Sequence, residues 1–164
     1  MNTHKLVASD FIPQHARPLN APFAELYKWD DIGALLIGKI VADNTRDDER
    51  GKPWRTLTLS PVVVISGASN RPNAAFAELA ITATASIAQA LPVKLTSDIA
   101  ADYRGKCYVF HYDSDESLHM GQTLKHIFVY EAPKTKVVDA LNKLDDPNVS
   151  ALLGLLDEQA KLPF

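Results

Sequence analysis

Apolar and polar positions change period several times along this chain, and each change predicts an element. Residues 1–22 have no period and hold Pro13, Pro18 and Pro22, which predicts an irregular, extended arm. The stretch from Ala24 to Trp29 reads as a short helical turn or a bridge into the first strand. Residues 33–43, GALLIGKIVAD, form a branched apolar run interrupted by Gly38, which predicts a strand with a bulge or bend at the glycine. The charged run NTRDDERGKP follows as a turn. In the next segment, Trp54 to Ile65, Leu57 and Leu59 alternate with Thr56 and Thr58, so the leucines should face a core and the threonines solvent. The two segments together predict a long hairpin with a polar tip.

The second half of the chain continues the pattern. Residues 66–73 read as a loop and Glu78 to Thr84 as a third strand. Ile87, Leu91, Leu95 and Ile99 recur every four residues, which predicts helix, broken into two short pieces by Pro92. Lys106 to Tyr112 and Thr123 to Glu131 are the fourth and fifth strands, separated by an acidic loop. After Pro133 the chain predicts two helices, Val137 to Leu144 and Val149 to Ala160, the second with Leu152, Leu153, Leu155 and Leu156. Five strands with a helical connection between the third and fourth predict a mainly β fold. Its expected form is a five-stranded, partly open Greek-key barrel of the oligonucleotide-binding type, with Leu57, Leu59, Val109, Ile127 and Val129 inside. Another small barrel or a half sandwich has the same strand count. The expected organisation is an arm over 1–22, a barrel over 23–132 and a helical tail over 133–164.

Composition narrows the partners. A chain of 164 residues fits one domain. Its single cysteine, Cys107, has no internal disulfide partner, which suits a reducing compartment. There is no signal-like N-terminus and no apolar run of the roughly 20 residues that span a bilayer, so the expectation is a cytoplasmic protein off the membrane. Net charge is −3, and residues 131–164 hold six acids against four bases, so any anion-binding surface must be a local patch.

The strongest candidate chemistry is aromatic. Tyr108, Phe110 and Tyr112 project to one face of the fourth strand, and Phe128 and Tyr130 share a face of the fifth. A flat ring accepts any unstacked base, at about 1–3 kcal/mol per base. Trp54 opens the second strand between Lys52 and Arg55. Lys39, Lys106 and Lys125 are interleaved with these positions and offer phosphate contacts. The expected nucleic-acid surface is therefore Lys39, Lys52, Trp54, Arg55, Lys106, Tyr108, Phe110, Tyr112, Lys125 and Phe128. The competing reading is structural: alternating aromatics are commonly core, and the hairpin that carries the basic residues also carries Asp43, Asp47, Asp48 and Glu49.

Enzyme signatures are weak. The chain has no CxxC, HExxH, GxSxG, P-loop or GxGxxG, and His111, His119 and His126 are spread over two strands and a loop. Cys107 and His111 lie too far apart along an extended strand for a nucleophile pair. The expectation is a non-catalytic protein without metal or cofactor.

From Leu91 to Ala132 the chain resembles phage and prophage single-stranded-DNA-binding proteins of the oligonucleotide-binding fold. The likeness runs through Gly105-Lys106, Tyr108-Val-Phe110-His-Tyr112, Gly121 and Lys125-His-Ile-Phe128-Val-Tyr130-Glu131-Ala132. It implies single-strand binding along the barrel face in phage DNA replication or recombination. The closing residues, with Asp157 and Glu158 before Pro163 and Phe164, are similar to the acidic tips of bacterial single-strand-binding proteins. That likeness implies docking of replication or repair proteins on Pro163 and Phe164. The leucines upstream instead predict a helix packed on the barrel or on a second copy of the chain. The alternative function is a small phage-type protein-interaction module with no nucleic-acid binding.

Overall fold

The structure, a computed structural model, describes residues 6–7, 11, 25–47, 49–67, 72–92, 103, 105–144 and 146–158. The described chain is mainly β. Its strands are β1 (Leu26–Tyr27), β2 (Leu35–Asp47), β3 (Pro53–Ile65), β4 (Ala74–Phe76), β5 (Leu79–Thr82), β6 (Cys107–Ser117) and β7 (Thr123–Ala132). Helix α1 (Ala85–Ala90) lies between β5 and β6, and α2 (Lys134–Lys143) and α3 (Val149–Glu158) follow β7. A turn of 3-10 helix, His119–Gly121, caps the β6–β7 hairpin.

All seven strands join one open, mixed sheet in the order β1-β5-β3-β2-β6-β7, with β4 pairing β3 beside β5. Pairing is antiparallel except between β1 and β5. Among the described residues no strand joins β5 to β7. Helix α1, which follows β5, bonds to β7 and β3: Ser86 Oγ donates to Lys125 O on β7 at 2.5 Å, and Leu91 O, just past the helix, accepts from Arg55 Nη1 on β3.

The β2–β3 hairpin is longer than its pattern suggested, because its ladder runs through the polar residues to Asp47↔Pro53. Near its middle the register shifts around Gly38 and Ile40. Gly38 fits there because a Cβ would lie 2.8 Å from Pro61 O. On β3, Leu57 and Leu59 face the first core, whereas beyond Pro61 the even-numbered Val62 joins them. The peptide bond between Ser60 and Pro61 is cis.

Two cores result, one on each side of the sheet. The first holds Leu36, Leu57, Leu59, Phe110, Tyr112 and Ile127, closed by Ile87 and Leu91 from the α1 segment and by Trp29. The second packs Ile37, Val63 and Cys107 against Val137 and Leu141 of α2 and Leu152 and Leu156 of α3. Both helices present an i, i+4 apolar pair to the sheet, the spacing that places two side chains on one face. Lys39 Nζ donates to Leu156 O at 2.9 Å and to Leu155 O at 3.3 Å, so a cation from the sheet holds the last-turn carbonyls of α3.

Several expectations change. The segment before Trp29 contains strand β1, and the unassigned residues between the 66–73 loop and the third strand contain β4, so the described sheet has seven strands. β6 continues through the acidic residues to Ser117. Leu57, Leu59 and Ile127 are buried in the first core and Val129 packs on it, but Val109 belongs to the second core under the helices. Thr56 and Thr58 are buried, although their alternation with leucine suggested solvent. Alternation shows that the two faces differ, not that one of them is wet. The second helical piece expected before the fourth strand lies largely outside the described residues, as do most of the N-terminal arm and Pro163 and Phe164.

The α3 contact generates a stability prediction. Leu156 is 2% exposed. Leu156→Ala should cost about 2–5 kcal/mol and lower the melting temperature by about 4–20 °C. Thermal unfolding followed by circular dichroism checks this; an unchanged midpoint would mean that α3 adds no stability.

Candidate nucleic-acid interface

The fold divides the ten expected contact residues into internal and surface sets. Tyr108, Phe110 and Tyr112 are 5%, 0% and 1% exposed, and all three belong to the first core. β6 lies between β2 and β7, and these side chains share the side occupied by Leu36 and Ile127, so the sheet interior takes them. Their rings pack on one another and on Trp29, which meets Tyr112 edge-on with centroids 6.0 Å apart. They correct the expectation of a stacking face on this strand.

Two of the cations are internal as well. Lys39 is buried beneath the end of α3. Arg55 forks onto Asp43, with Nε to Oδ1 at 2.7 Å and Nη2 to Oδ2 at 2.5 Å, and its third donor reaches Leu91 O. Buried charges of this kind need hydrogen-bonding partners, and both residues have them. Neither is placed to meet a phosphate.

The surface set is Lys52, Trp54, Lys106, Lys125 and Phe128. Lys52 and Lys106 are exposed, while Trp54 and Lys125 are half-buried. Phe128 is 47% exposed, and Tyr130, two residues further along β7, is 54% exposed. Ile127 and Val129 turn inward between them, so the two rings stand on the outer face in a row with His126. His126 Nε2 lies 2.8 Å from Glu116 Oε2. On β6, His111 is opposite Phe128 and Val109 opposite Tyr130. Beside the row a groove of about 310 Å³ opens between β7 and α1, lined by Ser86, Gln89 and Ala90 on the helix side.

Lys125 points to the other side of β7. Its Nζ donates to Tyr112 Oη at 3.0 Å and sits 5.0 Å from the centre of that ring, while Tyr112 Oη donates to Asp115. Burial pushes the Tyr112 phenol up, and its bond to Asp115 adds to this. The bond to Tyr112 also raises the Lys125 ammonium, against the effect of desolvation. Cys107 is raised by burial, with Lys39 and Lys134 pulling the other way, so its thiol is an inert core group.

A larger groove, of about 460 Å³, lies between β1 and β4, with Glu25, Asp30, Asp31 and Lys28 among its lining residues. Sequence reasoning missed it, because its carboxylates are scattered through a short segment with no periodicity. Their density between Glu25 and Asp31 was the available signal. Among the described residues no three His, Cys, Asp or Glu side chains cluster as a metal would require. No described helix is long and apolar enough to cross a membrane. Compared with known protein families, curated proteins and solved structures, the chain has no match.

The Tyr112–Lys125 pair predicts a pH dependence. Both groups hold their protons more tightly when folded, so their contribution to stability is fully present below the unfolded pKa values, about 10 for each. It is lost as pH rises through the raised folded values. The stability difference between the protein and Tyr112→Phe should therefore shrink as pH is raised past about 10. Urea unfolding at a series of pH values measures it; a difference that stays constant would place no titrating contribution at this pair.

Proposed function

We propose that this protein binds single-stranded nucleic acid without catalysis, stacking bases on Phe128 and Tyr130. The observation that carries the reading is this pair of large aromatic rings, exposed side by side on the outer face of β7. A row of rings on a strand suits successive unstacked bases and asks for no sequence. The arrangement of the sheet supports it. Five strands in the order β5-β3-β2-β6-β7, with a helix between β5 and β6, supply the number of strands that an oligonucleotide-binding barrel uses, in a sheet left open between β5 and β7. In that fold the first hairpin tip and the last one also meet the ligand. Here the first tip offers Lys52 and Trp54, and the last carries His119 and the 96%-exposed Met120. Roles in phage DNA replication or recombination and partner docking through Pro163 and Phe164 belong to the same proposal and rest on the resemblance.

A protein-interaction module without nucleic-acid binding is the second reading. It is favoured by the internal use of Lys39 and Arg55, which removes two of the five cations expected to meet phosphate from the surface of an acidic chain. One titration separates the two. Labelled oligo-dT, followed by fluorescence anisotropy at two salt concentrations, should bind more weakly at high salt, because each neutralised phosphate releases counterions. Phe128→Ala and Tyr130→Ala should each weaken binding by about 1–3 kcal/mol, and Trp54→Ala should do so if the first hairpin tip takes part. No binding by the folded parent protein, or full binding by both β7 variants, would sink the proposal.

A further inference from the structure

Asp31 is a carboxylate in a place where an unpartnered charge is costly. It follows β1 and is 6% exposed. Its Oδ2 accepts from Ser66 Oγ at 2.9 Å and from the Gly67 amide at 3.1 Å, while Oδ1 accepts no hydrogen bond among the described residues. The amide cannot retreat easily, because Gly67 crosses the backbone at Gly33 so closely that a Cβ on Gly67 would lie 2.4 Å from Gly33 C. The carboxylate is thus held through Oδ2, and Oδ1 is left for a ligand.

Asp31 lines the 460 Å³ groove between β1 and β4, together with apolar Val64, Phe76 and Leu79 and the exposed Glu25. Three carboxylates face one ammonium here, since Asp30 and Lys28 also line the groove. Glu25 and Asp30 are exposed, and Asp31 is the buried carboxylate of the three. This field repels phosphate and favours an organic cation. The groove walls have strand edges: β1 ends the sheet, and β4 pairs only with β3 among the described strands. Open edges offer main-chain donors and acceptors to an extended polypeptide, which a free amine would not use.

We propose that this groove docks an extended segment of a partner protein, whose lysine or arginine stem lies on the apolar walls and whose cationic head meets Asp31 Oδ1. The long aliphatic stems of these side chains suit an apolar wall that leads to a charged end. The site is separate from the β7 rings and does not depend on the nucleic-acid reading.

The test uses the full chain and fluorescein-labelled pentapeptides Gly-Val-Lys-Val-Gly and Gly-Val-Arg-Val-Gly, with norleucine in place of the cation as the control. The cationic peptides should bind at least about tenfold more tightly than the norleucine peptide, as a charge-assisted hydrogen bond implies. Asp31→Asn keeps an oxygen for the Gly67 amide and should reduce that preference to about twofold or less. Ala74→Trp puts a large side chain into the groove wall, leaves the Asp31 carboxylate in the chain, and should abolish binding of all three peptides. Circular dichroism confirms that each variant is folded, and Ala74→Trp serves alone if Asp31→Asn is not. Equal binding of the lysine and norleucine peptides, or unaltered binding by the folded variants, would overturn the proposal. Competition by n-butylammonium as strong as by the peptide would overturn it in favour of a small amine, and displacement of the peptide by oligo-dT would overturn it in favour of a shared anion site.

Discussion

Covering both faces of the central strands is the constraint on which this structure depends. β2, β3 and β6 have the first core on one side and α2 and α3 on the other. A sheet covered on both faces cannot reserve one face of its middle strands for a ligand. Polar side chains that fall on those strands must then be satisfied internally or left short of a partner. Lys39 is satisfied by the end of α3 and Arg55 by Asp43 and Leu91 O, whereas Thr56 Oγ1 is buried with no hydrogen bond.

The two buried cations act as ties between elements. Lys39 joins β2 to the C-terminal turn of α3, where exposed carbonyls and the helix dipole both favour a positive charge. Arg55 joins β3 to β2 through Asp43 and to the α1 segment through Leu91 O. Apolar packing alone would allow α1 and α3 to slide on their sheet faces. Directional, desolvated bonds at one end of each contact fix the position. Removing either partner would leave an uncompensated charge in the interior, which costs more than the contact itself contributes.

Much of this fold was legible in the sequence, because period and burial coincide on its long strands. The segments of β2, β3, β6 and β7 were marked by branched and aromatic residues, and α2 and α3 by apolar pairs at helical spacing. β1 and β4 were not, since two or three residues cannot establish a period and their pairing is decided by neighbours distant in sequence. The candidate site was less legible. Tyr108-Val-Phe110-His-Tyr112 and Phe128-Val-Tyr130 look alike as strings. What separates them is that β6 lies inside the sheet with its rings on the inner side, whereas β7 ends the sheet with its rings on the outer side. Strand order and inward or outward parity are tertiary facts, and no alternation pattern states them.

The same constraint indicates where function can reside. A doubly covered sheet has ligand-facing surface only at its ends and its tips. At one end β7 presents Phe128 and Tyr130 on its outer face; at the other, β1 and β4 frame a groove around Asp31. The two ends have opposite chemistry. One offers uncharged ring faces, on which a base can stack without a strongly basic field around it. The other concentrates carboxylates over apolar walls, which repels a phosphate backbone and attracts a cation. A strand of nucleic acid on β7 and a basic polypeptide at β1 and β4 would therefore occupy different parts of the molecule. The core between them, held by Arg55 and Lys39, need not rearrange for either to bind.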